Sequence, residues 1–329
     1  MNSRQDIAIL VPGKMLDYAL KRVESEFRTV TLPGSDPSLV TPEMAGTVRG
    51  IGVMGRITAA FIDALPKLEI IANFGVGYDA IDAPHAVKKG ILVTNTPDVL
   101  TEEVADTTIG LLLNTVREFP RAEKWLREGR WARDGGYPLT PATLRGRTIG
   151  IFGMGRIGQA VARRLEPFGV TIAYHNRRPV DGSPYTYHQT LLGLAGAVDT
   201  LISVAPGGPE TEKIINAPVL KALGPDGVFI NIGRGSTVDE DALIVALRNG
   251  TIRAAGLDVF AQEPNVPEAL IRLENTCLLP HVGSASQHTR QAMGDLMVEN
   301  LVSWFSKGTV VTPVAEARDL AARLAKERR

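Results

Sequence analysis

The sequence predicts an α/β protein built from two doubly wound parallel-sheet domains. Three features predict it: short apolar runs that alternate with helical patterns, a fresh start of that series near residue 147, and a glycine-rich turn between a strand-like run and an amphipathic helix. In the first half the apolar runs are "DIAILVP", "RTVTLP", "GIGVMG", "LEIIANFG" and "GILVTNTP", each closed by Gly or Pro. Between them "MLDYALKRVESEF" and "TAAFIDALPKL" have helical apolar spacing, which together is the pattern of a parallel sheet covered by helices.

The second series comprises "RTIGIFGMG", "VTIAYHN", "VDTLISVAP", "GVFINIG", "IRAAGLDVF" and "NTCLLP", with helical stretches such as "TVDEDALIVALRNG" between runs. Two longer helical stretches remain, one over about 101–129 with a break at Pro120 and one over about 286–307. Read as helices that cross between domains, they return the last segment to the first domain. The first domain then spans 1–101, completed by 287–329, and the second spans 102–286. The tail "EARDLAARLAKERR" is a charged helix or a frayed end, to which no function is assigned.

A chain of 329 residues suffices for two cores. With 22% charged residues, 44% hydrophobic residues and a formal net charge of zero, nothing points to nucleic acid or to a membrane surface. The N-terminal apolar stretch is too short for a signal peptide, and no run approaches a membrane span. One cysteine, Cys277, fits a reducing, cytoplasmic setting and reads as a buried structural thiol in "CLLP". No metal site is expected.

Gly153, Gly155 and Gly158 in "GIFGMGRIGQAVARRL" have G-x-G-x-x-G spacing, in the strand-to-helix context that makes the pattern informative. The first permits the tight turn, the second lets a pyrophosphate approach the backbone, and the third lets the helix pack on the strand. The phosphates would meet the N–H groups and positive dipole end of the helix. At the end of the next strand an NAD-binding unit commonly has an acid for the ribose 2′-OH, but here stand Asn176, Arg177 and Arg178. A carboxylate would repel a 2′-phosphate, whereas two arginines can hold one, so NADP(H) is favoured.

Downstream, "NIGRGSTVDEDAL", "GLDVFAQEP" and "LLPHVGSAS" each follow an apolar run, which places Arg234, Glu263 and His281 beyond strand carboxyl ends, where open α/β sheets bind ligands. An arginine can grip a carboxylate and polarise a carbonyl, a histidine can deliver a proton near neutral pH, and a carboxylate can orient that histidine. His85, His175, His188 and His288 lack such a setting and read as structural.

These segments together resemble the D-isomer-specific 2-hydroxyacid dehydrogenase family over nearly the whole chain. "NFGVGYDAID" is similar to its substrate loop, "GIFGMGRIGQAVARRLEPFG" to its cofactor turn, and the three segments above to those holding its catalytic Arg, Glu and His. The resemblance implies a Rossmann cofactor domain and a flavodoxin-like substrate domain with a cleft between them. It implies that Arg234 binds the substrate carboxylate and carbonyl, that Glu263 pairs with His281, and that His281 is the general acid in reduction. It places substrate at Met54 and at the Val76 and Gly77 backbone. It places cofactor at Arg156 and Ile157 in the turn, Thr108 in "VADTT", Pro206, Ile232, Gly233, Asp258 and Gly283, the Asp258 contact being to the nicotinamide carboxamide.

Within the family, "YHNRR" resembles members that use NADPH to reduce glyoxylate and hydroxypyruvate. The expected partner is thus a small 2-oxo or 2-hydroxy acid. A homodimer is also implied, with Trp131 or Tyr137 of "REGRWARDGGYPLT" reaching the partner. The sequence departs from the family at Gly207 and Gly208, where bulkier residues are common. Two alternatives stay open. One is another substrate, a bulkier 2-oxo acid or phosphite, with Met54 and Phe74 restricting pocket size. The other is a dinucleotide-sensing corepressor, against which the intact trio speaks.

Overall fold

The structure is a computed structural model that describes residues 3–327. The chain forms two compact units, one made of the residues up to Leu100 together with those from Ser286, the other of Thr101–Ala285.

The first unit holds a parallel five-stranded sheet of β1 (Ala8–Pro12), β2 (Arg28–Leu32), β3 (Val48–Val53), β4 (Ile70–Asn73) and β5 (Leu92–Thr94), in the order β2-β1-β3-β4-β5. This is the flavodoxin-like winding. Every residue of β1, β4 and β5 is buried, as their unbroken apolar runs require of strands covered on both faces, while the edge strand β2 stays partly exposed. The helix Gln287–Lys307 is capped by the Ser286 hydroxyl, which accepts from the Thr289 N–H, and ends at Gly308 with φ +68°. It packs on Asp17–Glu26, where a Cβ on Gly294 would stand 3.1 Å from that of Ala19. The tail folds as a helix, Arg318–Glu327, with Leu320 buried.

The second unit holds seven parallel strands, β6 (Thr148–Phe152), β7 (Thr171–His175), β8 (Thr186–Tyr187), β9 (Thr200–Ser203), β10 (Val228–Asn231), β11 (Ala254–Leu257) and β12 (Thr276–Leu278). Their order, β12-β11-β10-β9-β6-β7-β8, is the Rossmann winding extended by one strand, with its switch point between β6 and β9. The two-residue β8 is too short to show a periodicity and was not expected. The long helical stretch breaks earlier than Pro120: Thr101–Val116 ends, Glu118 takes φ +54°, and Phe119–Arg127 begins with Pro120 in its first turn, where a missing N–H costs nothing. Residues Arg130–Asp134 of the Trp131 segment form a short helix. Cys277 is buried, and burial pushes its thiol pKa up. Among the described residues no helix is long and apolar enough to cross a membrane, and no group of His, Cys, Asp and Glu is placed to hold a metal.

Candidate active site

The glycine turn fits a dinucleotide on steric grounds. Gly153 has φ +102°, and a Cβ on it would stand 2.9 Å from the Ala205 nitrogen across the switch point. A Cβ on Gly158 would lie 2.2 Å from the Gly153 carbonyl oxygen, so only glycine lets the helix start this close to the strand. Gly155 has nothing within 4 Å of its missing Cβ, which leaves open space on the ligand side. The helix Arg156–Leu165 has no side-chain cap at Gly155, and the positive end of its dipole suits a phosphate there.

Asn176 stands where an NAD-binding unit commonly has an acid, and its Oδ1 accepts from the Met154 N–H at 2.8 Å, tying the end of β7 to the glycine turn. Arg177 and Arg178 are exposed beside it. Arg177 meets Glu210 at 3.4 Å, an open surface pair of little energetic weight that a phosphate can displace. Two tyrosines that sequence reasoning did not single out brace this loop: the Tyr174 hydroxyl accepts from the Val180 N–H at 2.9 Å, and the Tyr187 hydroxyl donates to the Asn176 carbonyl at 3.2 Å. The loop after β9 carries Pro206, whose carbonyl accepts from the Thr211 hydroxyl at 2.7 Å. Gly208 has φ +133°, which accounts for glycine where the family has larger residues.

Three strand ends assemble the catalytic candidates. After β10, Asn231 is fully buried and shapes the arginine turn: its amide donates to the Arg234 carbonyl at 3.0 Å and accepts from the Gly233 N–H at 3.1 Å. Ile232, buried against Gly283, lies in the same turn. After β11, Glu263 accepts from the Phe260 N–H at 3.0 Å through Oε1 and meets His281 Nδ1 at 2.7 Å through Oε2. Burial acts to raise the Glu263 carboxyl pKa, but the hydrogen bonds from His281 and Phe260 and the charges of His281 and Arg234 outweigh it and hold it below the usual range. Glu263 is therefore a carboxylate at neutral pH, with Arg234 near enough for its charge to act on it.

After β12, His281 takes φ +53°, rare for a residue with a Cβ, and is held there by Asp258. Asp258 is 1% exposed; its backbone carbonyl accepts from the His281 N–H at 2.9 Å, and its two carboxylate oxygens accept from the Val282 and Gly283 N–H groups at 2.7 and 2.8 Å. Burial nevertheless raises its pKa. Its observed work is thus to hold the histidine turn. Thr108 is fully buried, and its hydroxyl donates to the Val104 carbonyl of its own helix at 2.7 Å. The neighbouring Thr107, one helical step round, donates to the Gly283 carbonyl at 3.1 Å.

In the first unit Met54 follows β3, and Val76 and Gly77 lie in the loop after β4. The Phe74 N–H, donating to the Val53 carbonyl at 2.7 Å, holds these two strand ends together. Met54 is 38% exposed, and Phe74 is buried with the Arg290 guanidinium over its ring.

A Rossmann unit with a phosphate-ready glycine turn, an arginine and a carboxylate–imidazole pair at neighbouring strand ends defines a dinucleotide-dependent dehydrogenase. Residues 109–283 match the D-isomer specific 2-hydroxyacid dehydrogenase, NAD binding domain. The protein belongs to the D-isomer specific 2-hydroxyacid dehydrogenase family. It is 42% identical over 313 residues to a glyoxylate/hydroxypyruvate reductase of Arabidopsis thaliana, covering 94% of this chain and 99% of the other. It is 50% identical over 256 residues to hydroxyphenylpyruvate reductase of Plectranthus scutellarioides, covering 78% and 81%. The crystal structure of an NADPH-dependent glyoxylate/hydroxypyruvate reductase from Sinorhizobium meliloti, in complex with NADP and malonate, superposes with a TM-score of 0.93 at 61% identity, covering 94% of this chain and 97% of that one.

Proposed function

We propose that this enzyme uses NADPH to reduce glyoxylate and hydroxypyruvate to their 2-hydroxy acids. The observation that carries the chemistry is the 2.7 Å contact between His281 Nδ1 and Glu263, with Arg234 alongside. The likeness to the Arabidopsis and Sinorhizobium reductases supports the substrate class. A dinucleotide held by its phosphates at the glycine turn would supply the hydride from its nicotinamide. With Nδ1 engaged by Glu263, His281 presents Nε2 to the substrate oxygen and gives it a proton there. Arg234 grips the carboxylate and stabilises negative charge as it develops on that oxygen. In the first unit, the Val76 and Gly77 N–H groups are proposed to hold the carboxylate, with Met54 beside them. A panel of 2-oxo acids, each assayed with NADPH and NADH, tests the proposal; failure to turn over glyoxylate and hydroxypyruvate would remove it. The likeness to hydroxyphenylpyruvate reductase favours a second reading, a bulkier 2-oxo acid, which the same panel separates.

The cofactor preference is assigned to Asn176, Arg177 and Arg178. Replacing both arginines by Ala should raise KM for NADPH by about ten- to a hundredfold for each charge-assisted bond lost, with KM for NADH little changed. Equal efficiency with both cofactors in the parent enzyme would contradict the assignment.

We further propose a cytoplasmic homodimer. One unpaired buried thiol suits a reducing compartment. Phe119, Leu126, Trp131 and Leu139 are exposed within one stretch of chain, Leu139 at 98%, as expected of a surface awaiting a partner. The Tyr137 hydroxyl donates to Glu118 at 2.7 Å and its ring packs edge-on against Trp125, so Trp131 is the aromatic left to reach across. Leu139→Glu should shift the light-scattering mass toward the monomer; a monomeric, fully active parent enzyme would refute the dimer.

A further inference from the structure

In the loop after β4 the carbonyls of Gly75, Val76 and Gly77 are occupied while the N–H groups of Val76 and Gly77 are open. Asn73, the last residue of β4, is 5% exposed, and its amide donates to the carbonyls of Gly75 at 3.0 Å and Gly77 at 2.9 Å. Asn95, just past β5, donates to the Val76 carbonyl between them at 2.8 Å. The Thr96 N–H adds a second donor to the Gly75 carbonyl at 2.9 Å. Among the described residues none accepts from the N–H groups of Val76 or Gly77.

These facts are linked by the peptide plane. In a trans peptide the C=O of one residue and the N–H of the next point in opposite directions. Turning the Gly75 carbonyl onto Asn73 therefore turns the Val76 N–H the other way. Turning the Val76 carbonyl onto Asn95 does the same for the Gly77 N–H. Two asparagines thus aim two adjacent donors, which is what a carboxylate needs.

Asn95 is itself held from behind. Its N–H donates to the Thr312 carbonyl at 3.2 Å, and its carbonyl accepts from the Thr312 hydroxyl at 2.6 Å. Asn300, fully buried on the helix Gln287–Lys307, donates to that hydroxyl at 2.8 Å and accepts from the Val311 and Thr312 N–H groups, each at 3.0 Å.

We propose that Asn73 and Asn95 are positioning residues for the substrate carboxylate, aiming the Val76 and Gly77 N–H groups, and that Thr312, fixed by Asn300, holds Asn95 in register. This inference rests on the 2-oxo acid reductase reading. A role in packing alone would lower stability and weaken substrate and cofactor alike; aiming the donors predicts a selective loss.

The test is steady-state kinetics with glyoxylate and NADPH on Asn95→Ala, Asn95→Asp and the pair Thr312→Val and Thr312→Ser. Asn95→Ala should raise KM for glyoxylate by about ten- to a hundredfold, the scale of a hydrogen bond to a charged group, with KM for NADPH within about twofold and kcat changed less than KM. Asn95→Asp should do worse, because its carboxylate repels the Val76 carbonyl and favours the flipped peptide. Thr312→Ser keeps the hydroxyl and should match the parent, while Thr312→Val should move with Asn95→Ala. That pair decides the matter if Asn95→Ala does not fold.

Unchanged KM for glyoxylate in folded Asn95→Ala, or an equal rise in KM for NADPH, overturns the proposal. Malonate titrated calorimetrically into parent and variant with NADPH present reads the carboxylate site without turnover, and equal affinities there overturn it too. A parent that binds malonate but reduces neither glyoxylate nor hydroxypyruvate instead sinks the substrate reading.

Discussion

His281→Ala should lower kcat by about 10²–10⁴-fold, the range for losing a positioned general acid, while NADPH affinity by fluorescence titration stays nearly unchanged. The separation follows from the ring's place: Nδ1 is engaged by Glu263, and the proton it delivers matters to the chemical step and not to cofactor affinity. Glu263→Gln is the finer probe. The Glu263 carboxyl titrates below the usual range, so its negative charge is present throughout the working pH and stabilises a protonated partner. The amide keeps the shape and removes that charge. Reduction needs the proton, so the alkaline limb of the kcat profile should move to lower pH. A limb that stays in place, or moves to higher pH, would show that the pair does not sustain the proton. The sign for stability is the reverse: a depressed carboxyl contributes fully above the ordinary carboxylate range, and that contribution is lost as pH falls through its lowered value.

Gly235→Ala should be the most damaging single-methyl change near the site. A Cβ there would lie 1.8 Å from the Phe260 carbonyl carbon, 2.1 Å from its oxygen and 2.4 Å from the Ala261 nitrogen. All three are backbone atoms, so no rotamer change relieves the overlap, and the turn after β10 must separate from the loop after β11. That loop carries the Phe260 N–H that holds Glu263, and the turn carries Arg234. The expected cost is at or above the upper end of the overpacking range of about 1–3 kcal/mol, read from the urea midpoint. In whatever folds, kcat/KM should fall by at least the roughly tenfold or more that follows a disturbed catalytic geometry. Gly155→Ala is the matched control: no atom lies within 4 Å of the new methyl, so it should keep the parent's urea midpoint and raise KM for NADPH by crowding the phosphate. A Gly235→Ala enzyme with the parent's midpoint and rate would mean that the two loops need not touch.

The sequence by itself determined the elements and their chemistry. Unbroken apolar runs require strands buried on both faces, glycine spacing requires a tight turn under a helix, and Arg234, Glu263 and His281 each follow such a run, so each sits at a strand's carboxyl end. What only the tertiary structure decided is which groups meet. Glu263 and His281 pair because β11 and β12 are neighbours in the sheet. Asn73 and Asn95 converge on one loop because β4 and β5 are. Thr107 meets the Gly283 carbonyl while Thr108 bonds within its own helix, because one residue along a helix turns a side chain about 100° round the axis. Apolar periodicity records whether a face is covered, which is a local property of the chain. The partner of a polar side chain is set by crossover connections that bring distant strand ends together, and an asparagine at a strand end carries no mark of the carbonyl it will meet.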